Sequence, residues 1–267
     1  MPTPLEILLD PVSLIVIALY VGLMIWEALF PARPLPYMKY WKLKGLAFFT
    51  FYFYLSSYLP LLWNSYLADH QIFDLTNLGT VGGAVTGVLL YQLGVYVWHR
   101  SMHSSNVLWR VFHQMHHSAE RVDTYSAFLF SPFDMIGFTV LGSLLLVLVA
   151  GFSPQASTII LLVNSFFSMF QHSNIRTPVW LGYIVQRPEA HALHHAKGIH
   201  AYNYSDLAIY DILFGTWKNP KGFENEIGFY IGASSRLTDM LMFKDVSEPK
   251  KNERRQDSLA GSSAHIN

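Results

Sequence analysis

The chain has 267 residues, of which 52% are hydrophobic, 15% aromatic and only 13% charged, with 18 Lys and Arg balanced by 18 Asp and Glu. Soluble domains carry about 25% charged residues, so this deficit and the positive mean hydropathy point to a membrane protein, while the zero net charge offers no basic face for nucleic acid. The absence of cysteine excludes disulfides, thiolate-held zinc, iron–sulfur clusters and cysteine nucleophiles.

A bilayer-spanning helix needs roughly 20 mostly apolar residues. Residues 12–30 meet that, with Glu27 near one end and no Lys or Arg before them, which argues against a secretory signal. Residues 45–67 form a second span, kinked at Pro60. Residues 80–98 form a third without any charge, and Gly79, Gly83 and Gly87 recur along it every four residues. That small-residue stripe lets another helix approach closely. Residues 135–152 make a fourth span, and residues 155–170, shorter and more polar, a fifth that pairs with it as a hairpin.

Positive charge sets the orientation. The loop after the first span holds Arg33, Lys39, Lys42 and Lys44, whereas the loop after the second holds Asp69 and Asp74 and no Lys or Arg. With the N-terminus outside, every Lys and Arg falls on the cytoplasmic side, in what is expected to be a bacterial inner membrane. Residues 173–244 then form a cytoplasmic cap of short helices and loops. Residues 245–267 have too few large apolar side chains to stay ordered and are expected to be a disordered tail. The expected fold is therefore an all-α integral membrane protein of four to five membrane helices, a single domain over residues 1–244 with a histidine-rich helical cap.

The same topology gathers histidines on the cytoplasmic side. His99 and His103 stand four apart at the end of the third span. His113, His116 and His117 have the spacing i, i+3, i+4, and His191, His194 and His195 repeat it. His172 ends the hairpin. Residues three or four apart on a helix face the same way, so each group is expected to aim its imidazoles at one point. Clustered neutral imidazoles are efficient metal ligands. Nine exceed the six positions of one octahedral ion, and two ions would use them while leaving positions open for water or oxygen. Glu120, Asp123, Glu189, Asp206 and Asp211 lie close enough in sequence to hold the second ring N–H of these histidines. His200 lies near the third group but outside its spacing. Trp98, Trp109 and Phe112 interleave with the first two groups, as lining of a substrate path or as interface anchors.

These residues bear a resemblance. "HRSMH" (99–103), "HQMHH" (113–117) and "HALHH" (191–195) resemble the histidine boxes of the membrane-bound fatty acid hydroxylase/sterol desaturase superfamily. "FQHSN" (170–174) resembles its additional box, and "NYSDLAIYDILFGTW" (203–217) the segment typical after the last one. The resemblance implies a non-haem centre of two iron ions held by His99, His103, His113, His116, His117, His172, His191, His194 and His195. It implies O2 as co-substrate, a lipid substrate drawn from the bilayer, and hydroxylation of a C–H bond, or desaturation by the same centre. Arg176 stands where fatty acid 2-hydroxylases place a second histidine, and "AFLFSP" (127–132) where many bacterial relatives read "AFRFHP". No cytochrome b5-like segment is recognised, so a separate electron-transfer partner is expected. A membrane metal transporter or sensor is the competing reading, and it calls for ligands within the spans rather than past their ends.

Overall fold

A computed structural model describes residues 1–249. Twelve α-helices follow one another among the described residues: α1 Pro4–Leu9, α2 Pro11–Leu29, α3 Trp41–Tyr58, α4 Pro60–Asp69, α5 Gly79–Ser104, α6 Asn106–Leu108, α7 Gln114–His117, α8 Pro132–Ser143, α9 Pro154–His172, α10 Pro188–His194, α11 Ala208–Leu213 and α12 Leu237–Leu241. There is no strand among them; two isolated bridges are the only β pairing. The protein is an all-α membrane protein.

The helix starts are written in the sequence. Thr3 and Glu6 form a capping box at α1, and Asp10 accepts from the Val12 N–H at α2. Ser131 and Ser153 cap α8 and α9, each followed by a proline at the first helical position. Pro60 divides the second span into α3 and α4, as expected of a residue without an N–H.

Among the described residues, four stretches are long and apolar enough to cross a bilayer: Pro11–Leu29, Trp41–Asp69, Thr76–Ser104 and Pro132–Val149. Their outer faces are apolar, with Leu14, Ile15, Val81, Val85 and Val97 exposed. α9 has the length but not the hydropathy, because Ser157, Asn164, Ser165 and Ser168 lie along one of its faces and line an internal cavity. α5 runs past the expected end of its span, so His99 and His103 are helical.

Of the expected glycine stripe, two positions pack. A Cβ on Gly83 would touch that of Ala156, and one on Gly87 would overlap Ile160. The two helices thereby close on a core of Ala84, Tyr91, Val95, Leu146, Phe152, Ala156 and Ile160. Gly79 faces open space and serves instead as a turn, at φ +64.

The cap sits on the same end of the bundle as the first loop. Arg33 donates to the Glu224 carbonyl, and Lys44 Nζ to the Ser234 carbonyl at 2.5 Å. Glu27, buried at the end of α2, accepts from the Thr124 N–H and hydroxyl and from the Asn174 N–H. It ties the span to both connecting segments. The expected tail starts too early: Val246 is fully buried beside Met115 and Met240, and its N–H reaches Gln114 Oε1. The remainder of that tail, residues 250–267, lies outside the described residues.

Candidate metal centre

The nine histidines collect at one end of the bundle in two groups. His99, His103, His113, His117 and His194 form one, and His116, His172, His191 and His195 the other; within each, one ring nitrogen per residue lies within 4.8 Å of all the rest. Each triplet is therefore split, contrary to the expectation that it aims at one point. At about 100° per residue, positions i and i+4 differ by roughly 40°, while i+3 lies on the far side of i by roughly 60°. His113 and His117 accordingly share one group and His116 joins the other; His191 and His195 share one and His194 crosses over. A π-helical turn at Trp109–His113 widens the helix as it enters the second triplet, a distortion frequent at functional sites.

The rings are oriented from behind. His99, His103 and His194 place Nδ1 at 2.8, 2.8 and 2.7 Å from the carbonyls of Tyr204, His200 and Tyr202. His172 Nδ1 meets the Ser168 carbonyl at 2.6 Å, and His113 Nδ1 meets Asp134 Oδ2 at 2.9 Å. A carbonyl or carboxylate accepts only from Nδ1–H, so these five rings carry their lone pair on Nε2.

That tautomer tests the fit of a cation. His99 Nε2 lies 3.2 Å from His103 Nε2 and 2.9 Å from His113 Nε2. With both Nδ1 atoms protonated, each such approach sets lone pair against lone pair, and a positive ion between them removes the repulsion. In the other group the Nε2 atoms of His116, His172, His191 and His195 approach one another at 3.0, 2.9 and 3.0 Å along the chain of contacts, and His117 Nε2 and His194 Nε2 are buried with no hydrogen-bond partner among the described residues. Burial, reinforced by neighbouring imidazoles, holds His113, His116, His117, His191, His194 and His195 well below the usual histidine range. Neutral, convergent and otherwise unpaired nitrogens fit a pair of transition-metal ions.

The expected carboxylate partners serve elsewhere. Asp123 accepts from Trp41 Nε1 and pairs with Arg121; Glu189 holds Thr177 and Arg187. Asp206 accepts from Gln92 and Gln171, Asp211 from the Tyr204 and Ser205 N–H groups, and Glu120 from those of Gly232 and Ser234. Among the described residues, none of them is hydrogen-bonded to a histidine ring. A neutral imidazole needs one acceptor only, and a backbone carbonyl left over by the loop supplies it without burying a charge.

Two features escaped the sequence. Asp134 is the carboxylate that holds a ring, and in "SPFD" it reads as an acidic residue of a helix start. The second is the loop His200–Tyr204, whose carbonyls at 200, 202 and 204 hold three rings. His200, Tyr202 and Asn203 all have positive φ, at 41, 69 and 51. Asn203 anchors the loop, donating to the Ala190 carbonyl and accepting from the Lys218 N–H. An Asn in a Tyr-flanked loop is the only local signal, since asparagine tolerates this conformation. His200 also packs against the centre, with its Nδ1 3.0 Å from that of His117.

A cavity of about 440 Å³ opens from His99, His113, His116, His172 and His191 into the bundle. Phe49, Tyr52, Phe128, Phe130 and Phe138 wall it, and it follows α9 from Ser157 to His172. That is roughly 22 Å of helix. Trp98 and Phe112 are not part of its wall; they meet edge to face, 5.0 Å apart, against Gly137.

Fold and site define a class: an integral membrane helical bundle with a polyhistidine centre at one end of its spans and an apolar cavity leading from it. Residues 84–216 match the fatty acid hydroxylase family. The chain is 33% identical over 141 residues to the ornithine lipid hydroxylase OlsE of Rhizobium tropici, which covers 51% of this chain and 42% of that protein. It is 26% identical over 137 residues to sphinganine C4-monooxygenase 1 of Arabidopsis thaliana, covering 50% and 53%. It is 25% identical over 130 residues to sphingolipid C4-hydroxylase sur2 of Schizosaccharomyces pombe, covering 47% and 44%. The matched part thus spans about half the length of these relatives. No solved structure gives a significant match. The chain belongs to the fatty acid hydroxylase/sterol desaturase superfamily.

Proposed function

We propose that the protein hydroxylates a C–H bond of a membrane lipid, using O2 and two electrons from a separate electron-transfer partner. The observation that carries this is the continuity of the cavity with both histidine groups. One group alone would suit a structural ion; two adjoining groups at the mouth of an apolar passage suit oxidation of a chain lying in it. His99, His103, His113, His117 and His194 would hold one iron ion, and His116, His172, His191 and His195 the other. Iron there supplies the activation of O2 that protein side chains cannot.

The chain's own residues do the rest. The aromatic wall binds the lipid chain by apolar burial and excludes water. The close packing of α5 on α9 fixes the passage relative to the rings, so that one carbon is held near the centre. The names of the three relatives, all lipid hydroxylases or monooxygenases, support the reaction type. The positively charged first loop and the cap share the histidine end of the bundle, which supports an outside N-terminus and a cytoplasmic centre in a bacterial inner membrane.

The test is metal content and product together. Purified protein is expected to hold about two iron ions per chain and, given reductant, to add one oxygen atom to an extracted membrane lipid, read by mass spectrometry. His116→Ala is expected to lose both iron from its group and the product. Full product formation by that variant ends the proposal.

A further inference from the structure

The segment from Ala201 to Trp217 contains no Lys or Arg and carries the run "LAIYDILF" (207–214). Sequence reasoning assigns it to the aqueous cap. The structure lays it against the middle of a membrane span. Gln92 Oε1 accepts from the N–H groups of Asp206 and Leu207, at 2.8 and 3.4 Å, and from the Ser205 hydroxyl at 2.8 Å. The Tyr210 hydroxyl donates to the Leu89 carbonyl at 2.7 Å. Phe214 stacks on Tyr96 with ring centroids 4.9 Å apart.

The depth of these contacts can be read along α5. Its first charged residue is Arg100. Tyr96, Gln92 and Leu89 lie about 6, 12 and 16 Å before it at the helical rise. A hydrocarbon core is about 30 Å thick. The contacts therefore run from the histidine side of the bilayer to about its midplane.

The outward face agrees. Ile209, Ile212, Leu213 and Phe214 are exposed, Leu213 by 68%. Trp180, Tyr183 and Ile184 extend the patch, joined to it where Val185 pairs with Leu207. On the neighbouring span, Leu89 and Val97 are exposed as well. Both acidic residues of the segment point inward. Asp206 accepts from Gln92 and Gln171, and Asp211 from Tyr204, Ser205 and Thr216. Irregular backbone at membrane depth must have its polar groups satisfied by protein, which is what the buried Gln92 does for residues 205–207.

We propose that residues 179–184 and 207–214 form a re-entrant element embedded in the hydrocarbon of the leaflet nearer the histidines, with lipid acyl chains as its partner. The inference stands on the membrane fold and not on the reaction.

The chain has no cysteine, so single labels are clean. Leu213→Cys and, separately, Tyr183→Cys would carry a nitroxide in the full chain reconstituted into phosphatidylcholine–phosphatidylglycerol vesicles. Lys221→Cys, exposed on the cap, is the aqueous reference. Collision rates with O2 and with a neutral, water-soluble nickel chelate are measured. Both test positions are expected to collide freely with O2 and about tenfold less with nickel than position 221, since a polar complex is excluded from hydrocarbon. Nickel collisions equal to the reference would place the patch in water and overturn the proposal. Low collisions with both reagents would mean a protein covers it, a second copy included, and would overturn it as well.

Discussion

Replacing Asp134 by Ala separates a metal-directed carboxylate from a structural one. Asp134 is fully buried, and its Oδ2 accepts from His113 Nδ1 at 2.9 Å. Its Oδ1 has no partner among the described residues. The carboxyl group thus orients one ring of the five-histidine group. Losing such a contact lowers metal affinity by about 10–100-fold, or roughly 1.4–2.7 kcal/mol. In the metal-free protein the same change leaves the buried His113 Nδ1 without its partner, so stability is expected to fall by only about 1–3 kcal/mol. Asp134→Asn keeps an acceptor for Nδ1–H and is expected to lose less than tenfold. The assay is competition for iron against a chelator in detergent, resolving the two equivalents, with melting of the metal-free protein alongside. One weakened equivalent and one unchanged is the expected outcome. Two wild-type equivalents in Asp134→Ala would refute the reasoning, and so would a metal-free protein that no longer folds.

Other residues give sharper local tests. Asn203→Ala removes both anchors of the loop whose carbonyls hold His99, His103 and His194 and forces alanine into positive φ, at a cost of roughly 1–3 kcal/mol. Iron content is expected to fall from about two per chain towards one, with Asn203→Gly less affected; unchanged content would show that the loop does not orient the rings. Gly87→Val drives a side chain into Ile160 and Phe152 and is expected to destabilise by about 1–3 kcal/mol. Gly22→Ala, which meets nothing within 4 Å, serves as the neutral control; equal melting of the two would refute the close contact of α5 with α9. Finally, the six buried imidazoles with depressed pKa stay neutral while those of the unfolded chain protonate near 6.5. The unfolded state then binds more protons, so stability is lost as pH falls through about 6.5, by up to about 1.4 kcal/mol per pH unit for each ring. Metal-free protein melted between pH 8 and 5.5 checks this, and a flat profile contradicts it.

The sequence by itself determined four of the five expected spans, the uneven distribution of Lys and Arg and the spacings of the histidines, because hydropathy over a bilayer's thickness and repeated helical spacings are local properties. The helix starts and the Pro60 break were legible for the same reason. Helical angles separate the i+3 histidine of each triplet from the other two, but only the tertiary structure decided which members of different triplets share a group, since that depends on which helices face each other. It also decided which acceptors hold the rings: carbonyls of a left-handed loop and Asp134, rather than Asp123, Glu189, Asp206 and Asp211. A carboxylate's sequence distance from a histidine says nothing of the N–H groups that compete for it. The polar residues of α9 weaken its signal as a span until the cavity they line is seen. The re-entrant placement of residues 207–214 was hidden likewise, because a short apolar run becomes a membrane element only when a span beside it can satisfy its backbone.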